Sequence, residues 1–208
     1  MTGNDWLTFN MSPLVSFLLP SRGRVDRLLR AIQSFHATAA NKDTFDVRVK
    51  LDDDDETSLS RKGELEQFGN VHVMVAPRLK GYHSIDHFVT LMAMESPAPW
   101  VWVFNDDATL IGKGWDEQIA TLPTVGIIVH PEIHKLHTSV YYRDHGGPCP
   151  CVPNGCWTKW VPSFPSPSDT ELNQLLIGVA GWNTHYLKGI TVWHQRDHER
   201  VLAEHRKL

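Results

Sequence analysis

An α/β fold with one mostly parallel sheet and helices on its faces is predicted by three features of the sequence. Short apolar runs of strand length alternate with segments of helical period through the first half of the chain. Two of those runs stop abruptly at acidic tips, Asp52-Asp53-Asp54-Asp55 and Asn105-Asp106-Asp107. The 208 residues, 41% apolar and 21% charged, suit one domain whose core stands without staples.

Residues 1–13 read as a polar lead-in. Leu14 to Leu19 is a short buried strand that Pro20 ends, and Ser21-Arg22-Gly23-Arg24 is a turn with two cations. Val25, Leu28, Leu29, Ile32 and Phe35 recur at helical spacing, so a helix follows to about Thr38. Phe45 to Leu51 alternates apolar and polar, which predicts a second strand with one face less deeply buried. Adjacent like charges at ~6 Å repel by about 0.7 kcal/mol even in water, so the four aspartates that follow are exposed or meet cations. Leu59, Leu65 and Phe68 predict a short helix, and Val71 to Val75 a third strand.

Gly81-Tyr82-His83 reads as a loop and Ser84 as the N-cap of a helix that buries Ile85, Phe88, Val89 and Met92. Ser96-Pro97-Ala98-Pro99 stops it. Trp100 to Phe104 is continuously apolar, hence a strand buried on both faces. Charges at the end of such a strand are costly unless something positive sits there. In an open α/β sheet, the crevice beyond the strand ends is where ligands bind. Asp106 and Asp107 are therefore candidate metal and nucleotide ligands, against the alternative of a solvated Asn-Asp turn.

The second half is less regular. Val125 to Val129 predicts a strand, and His130 to Pro167 shows no strong period. Ser168-Asp169-Thr170-Glu171 has the form of a capping box, before a helix burying Leu172, Leu175, Leu176 and Val179. Gly189 to Trp193 is a last short strand ending at His194, and a charged helix from Arg196 to Lys207 follows.

A net charge of −4 with His neutral leaves no basic footprint for nucleic acid. No stretch has the length or flanks of a signal peptide or a membrane span, and the three Cys make no paired framework, so a cytoplasmic protein is expected. His145, Cys149, Cys151 and Cys156 offer a His-Cys₃ set for a structural Zn²⁺, against the alternative of free buried thiols.

Four places in this order resemble the GT-A-fold glycosyltransferases of the broad family 2 type. They are Val15 to Arg22 with its Pro20-Ser21-Arg22 ending, Leu51-Asp52-Asp53-Asp54, Asn105-Asp106-Asp107, and the late pair Asp169 and His194. Asn105 stands where the family's Asp-x-Asp motif has its first carboxylate. The resemblance spans about residues 14–195 and implies a single GT-A-like (Rossmann-like) domain, with a nucleotide-binding half over 14–107 and an irregular acceptor-binding half over 108–208. It implies transfer of a sugar from a nucleotide-diphosphate donor to a glycan or other hydroxyl acceptor, with inversion.

In that scheme Asp107 and His194 are the metal ligands, and the imidazole favours Mn²⁺ over Mg²⁺. Asp106 contacts the ribose or the metal's water shell. Asp52 and Asp54, alternate residues of an extended segment, face the base and ribose. Pro20, Ser21 and Arg22, with Arg24, border the phosphates, and Gly81 and Tyr82 line the nucleotide pocket. Asp169 is the candidate base and Glu171 its rival; the alternative for Asp169 is a plain helix-capping role. Two other readings stay open. A sugar-nucleotide nucleotidyltransferase would want a richer Gly loop after the first strand than Gly23 provides. A non-catalytic carbohydrate-binding module would suit the many Trp but needs no acidic strand tips.

Overall fold

The computed structural model describes residues 12–79, 82–132, 150–159, 172 and 174–194. Its strands are β1 (Val15–Ser21), β2 (Phe45–Asp52), β3 (Val71–Ala76), β4 (Trp100–Val103), β5 (Ala108–Ile111), β6 (Ile127–Glu132), β7 (Cys151–Pro153) and β8 (Asn183–His194). Its α-helices are α1 (Val25–Thr38), α2 (Glu56–Leu59), α3 (Lys62–Glu66), α4 (Tyr82–Glu95), α5 (Trp115–Ala120) and α6 (Asn154–Lys159), with a π-helical segment at Gln174–Val179.

The strands form one sheet in the order β3-β2-β1-β4-β7-β6-β8-β5. Pairing is parallel across β3, β2, β1 and β4, and between β6 and β8. It is antiparallel where β7 joins β4 to β6 and where β5 closes on β8. The parallel half is the predicted α/β alternation. The antiparallel pairs come from the second half, where strands β5 and β7 carry no apolar run long enough to mark them in the sequence.

Alternation along the strands divides the core into two layers. Val15, Phe17 and Leu19 of β1, with Trp100 and Trp102 of β4, pack against α1 and Trp115 of α5. Leu18 and Val101 face the other way, against Val89, Met92 and Ala93 of α4, Trp157 of α6, Leu172 and Leu176. Phe17 is the hub of the first layer. It stacks on Phe35 at 3.8 Å between centroids and on Trp102 at 5.1 Å, and meets Trp115 edge-on at 5.2 Å. Such aromatic pairs contribute about 0.5–1.5 kcal/mol each beyond their buried area.

Several elements differ from the sequence expectation for identifiable reasons. The polar face of β2 is the less deeply buried one, as expected, but only Arg48 on it is half-buried, because α4 covers the rest and its charges are paired. Lys50 bonds Asp52 and lies 3.9 Å above the Phe88 ring, while Asp46 accepts from Ser16 and Arg48. Helix α4 begins at Tyr82, so Ser84 lies inside it rather than capping it, and Ile85 is 44% exposed. Val179 is 78% exposed, whereas Leu172 and Leu176 are buried as expected. Strand β8 is 12 residues long and begins well before Gly189. It is crossed closely by Gly112 (φ +110°), where a Cβ would stand 2.2 Å from the Gly189 carbonyl oxygen.

Asp116, 2% exposed, ties this second half to the first. Its carboxylate accepts from the backbone N–H of Ala40 at 2.8 Å and of Asn41 at 2.9 Å, and from Thr44 Oγ1 at 3.0 Å. Beside it, Trp115 Nε1 donates to Thr38 Oγ1 at 3.1 Å. The end of α1 is thus satisfied by the start of α5. Asp116→Ala removes the charged acceptor of two backbone N–H groups in the segment after α1 and is expected to cost roughly 2 kcal/mol, read as a shift of the urea midpoint at unchanged slope.

His36 of α1 sits between Phe45 and Phe68, with ring centroids at 4.9 and 5.3 Å. Burial lowers its pKa, Asn70 offsets this only in part, and Lys42 adds to it. A His with a folded pKa below its unfolded value adds stability above the unfolded pKa, near 6.5, and loses it as pH falls through the window below. Urea titrations at pH 7 and pH 5 are expected to show a smaller acid loss in His36→Gln than in the wild type.

Candidate functional site

The chain leaves β1 for β2 on one side and returns through α4 to β4 on the other. The topological switch point therefore lies between β1 and β4, at their carboxyl ends. Both acidic tips and the two-arginine turn converge there. Phe104 N–H bonds the Leu18 carbonyl at 3.0 Å, which holds the end of β4 against β1. The chain then turns, with Ala108 N–H on the Asn105 carbonyl at 3.1 Å, so Asp106 and Asp107 occupy the corner between β4 and β5. Asn105 opens that turn with an exposed side chain.

The corner carboxylates are buried, with side-chain exposures of 9% for Asp106 and 5% for Asp107. Ser21, the last residue of β1, donates its hydroxyl to Asp106 Oδ2 at 2.6 Å. Arg24 Nη1 lies 3.1 Å from Asp106 Oδ1 and 3.5 Å from Asp107 Oδ2. Arg27 Nη1 reaches Asp107 Oδ2 at 3.9 Å. Burial raises the Asp106 pKa; the Ser21 hydrogen bond and Arg24 pull it down, and the adjacent Asp107 pushes it up. Burial is the largest of these effects, and the Ser21 and Arg24 contacts offset it only in part.

The second acidic tip is divided among its four residues. Asp52, buried at the end of β2, pairs with Lys50 and accepts from Arg22 Nη1 at 2.8 Å. Asp53 is exposed. Asp54 takes both terminal nitrogens of Arg22, one of them at 3.2 Å, and this contact holds its carboxyl below the usual range. The same two carboxylates raise the Arg22 pKa, Asp54 first. Asp52 and Asp54 thus face one cation, although β2 ends at Asp52 and residues 53–54 form a turn, so it is the turn and not strand alternation that brings them together. Asp55 is the N-cap of α2; burial would raise its pKa, but donors from Ser58 and from Gly23 N–H at 2.6 Å outweigh that and lower it. Gly23 (φ +64°) lets the turn present Arg22 and Arg24 to different tips.

Asp55 and Arg27 belong to this edge without being marked by any motif. An Asp three residues before Ser58, at the start of a helical stretch, is the signal for the first. Three-residue spacing from Arg24 on α1 is the signal for the second.

Of the other sequence-predicted residues, Pro20 lies in β1 opposite Lys50. His194 ends β8, its backbone opposite Ala108, so the register carries that position to the residue after Asp107. The side chains of Tyr82 and His194 lie outside the described residues, as do Gly81, Asp169 and Glu171. The expected zinc set is corrected in part. His145 and Cys149 are outside the described residues, while Cys151 and Cys156 are free and buried in opposite core layers. The sheet separates their thiols, and burial raises the pKa of both, away from the thiolate that zinc requires. Among the described residues no group of three or more His, Cys, Asp or Glu is arranged to hold a metal. Asp106 and Asp107 supply two adjacent carboxylates of the hard oxygen type.

No protein-family model matches the chain, and no curated protein sequence does. Solved structures share its fold. Mannosyltransferase PcManGT from Pyrobaculum calidifontis, in complex with GDP-Man and Mn²⁺, matches with a TM-score of 0.66 at 12% identity, over 87% of this chain and 56% of that one. S. aureus TarS 1-349 in complex with UDP matches with a TM-score of 0.63 at 12% identity, over 85% and 59%. The same protein with UDP-GlcNAc gives 0.62 at 12% identity, over 85% and 57%. The chain spans under three-fifths of the length of these neighbours. The predicted α/β fold is thus the fold of known glycosyltransferases. Among the described residues no helix is long and apolar enough to cross a membrane.

Asp106→Asn keeps an acceptor for Ser21 and removes a desolvated charge from beside Asp107. It is expected to stabilise the unliganded protein by roughly 0.5–2 kcal/mol, the gain usual where function holds a site off its stability optimum. Calorimetric melting of the two proteins in metal-free buffer checks this.

Proposed function

We propose that this chain is a metal-dependent glycosyltransferase that moves a sugar from a nucleotide-diphosphate donor to a hydroxyl acceptor with inversion. The observation that carries this reading is the buried Asp106–Asp107 corner at the switch point, faced by cations from the β1–α1 turn. Neighbours of the same fold are bound to GDP-Man with Mn²⁺ and to UDP-GlcNAc, which supports a nucleotide-sugar donor. A family 2 type assignment rests on the motif order alone.

The two carboxylates fit a hard divalent ion, and Asp107 with His194 would hold Mn²⁺ or Mg²⁺. When bound, that ion neutralises charge on the departing diphosphate. Asp106, oriented by Ser21, faces the ribose. Asp52 and Asp54 accept hydrogen bonds from base and ribose, and Arg22 holds them in register for it. Pro20 and Ser21 bring the strand end close to the phosphates, with Gly81 and Tyr82 on the nucleotide side. The acceptor oxygen bonds to the anomeric carbon as the carbon–diphosphate oxygen bond breaks, and Asp169 takes the acceptor's proton. One in-line displacement of this kind inverts the centre. Residues 14–107 form the donor half and 108–208 the acceptor half, and a glycan is the acceptor class that the Trp and Tyr of the second half suit. The free thiols of Cys151 and Cys156 suit a reducing cytoplasm.

Incubation with labelled sugar nucleotides and Mn²⁺ tests the reaction class. Slow release of nucleoside diphosphate is expected; release of pyrophosphate instead marks a nucleotidyltransferase, and neither product marks a binding protein. Asp107→Asn is expected to lower turnover by about a hundredfold or more, the scale of losing one preorganised electrostatic contact. Asp169→Asn is expected to abolish transfer while Glu171→Gln retains it; the reverse pattern moves the base to Glu171.

A further inference from the structure

We infer that Arg24 is an exchangeable counter-ion, holding the Asp106–Asp107 pair in the unliganded protein and moving to the diphosphate when a divalent cation takes those carboxylates. The inference rests on the metal-dependent transfer proposed above. Its basis is the contrast between two arginines one residue apart. Arg22 grips Asp54 through both terminal nitrogens and Asp52 through one, a fork that fixes the turn. Arg24 instead spreads one nitrogen, Nη1, over two carboxylates at 3.1 and 3.5 Å. Its side chain is 47% exposed while its partners are 9% and 5% exposed. A buried anionic pair is therefore neutralised by a cation that reaches in from solvent and has room to leave.

Charge balance sets the direction of the movement. A divalent ion on the same oxygens repels a guanidinium within about 4 Å. A diphosphate entering with that ion brings negative charge within reach of the same flexible side chain. Arg24 thereby changes partner without the site passing through an uncompensated state.

The test is Mn²⁺ titration calorimetry on the full chain, with and without saturating UDP or GDP, for wild type, Arg24→Ala, Arg24→Lys and the remote surface control Lys62→Ala. Without nucleotide, Arg24→Ala is expected to bind Mn²⁺ about three- to tenfold more tightly, because its competitor is gone. With nucleotide present that gain is expected to vanish, and the nucleotide itself to bind about tenfold more weakly for want of one charge-assisted contact. Arg24→Lys restores most of the wild-type behaviour, and Lys62→Ala matches the wild type. A gain of equal size with and without nucleotide means fixed repulsion and overturns the exchange, as does no gain at all. A wild-type protein that binds neither Mn²⁺ nor either nucleotide overturns the transfer reading itself, whereas one that binds both with no such split overturns the role of Arg24 alone.

Discussion

Carboxylates at the ends of buried strands must be met by positive charge, and in this protein one turn meets that demand twice. Ser21-Arg22-Gly23-Arg24 leaves β1 between the tips of β2 and β4 and sends one arginine to each. Burying an unpaired carboxylate costs several kcal/mol, and the turn supplies part of the compensation at each tip, beside Lys50 at Asp52 and Arg27 at Asp107. The same turn donates Ser21 Oγ to Asp106 and Gly23 N–H to Asp55, so its backbone and side chains fix both tips together.

The turn can be this exact because what lies beneath it is rigid. Phe17, four residues before Ser21, is the hub of the aromatic layer formed with Phe35, Trp102 and Trp115. These rings come from β1, α1, β4 and α5, so the elements that carry Ser21, Arg24 and Asp106 are locked to one another one layer below the crevice. Close packing of this kind has low compressibility, so the spacing between these elements is held fixed. Asp116 extends the same framework by joining the end of α1 to the start of α5.

The Asp106–Asp107 corner also carries opposed electrostatic demands. Asp106 is disfavoured as an anion by burial and by its neighbour Asp107, and its compensation by Arg24 comes from a half-exposed side chain. The Asp52–Asp54 tip differs, since Arg22 grips it through both terminal nitrogens and the buried Lys50 lies beside Asp52. One tip is therefore met by a two-nitrogen fork and a buried lysine, and the other by a single Arg24 nitrogen shared between two carboxylates, with Arg27 at longer range.

The sequence by itself determined the parallel half of the sheet, because buried strands and amphipathic helices have periods that single residues reveal: α1 ends at Thr38 as its spacing requires, and both acidic tips stand at strand ends. It did not determine β5, β7 or the true length of β8, whose pairing depends on partners far along the chain rather than on local period. Nor could it separate the four aspartates of 52–55, which are alike in type and unlike in role. Only the tertiary structure decided that Asp55 caps a helix while Asp52 and Asp54 share Arg22, and that Arg24 answers Asp106 and Asp107. The physical reason is that charge compensation depends on distance through space, and these partners lie some 30 to 80 residues apart in the chain.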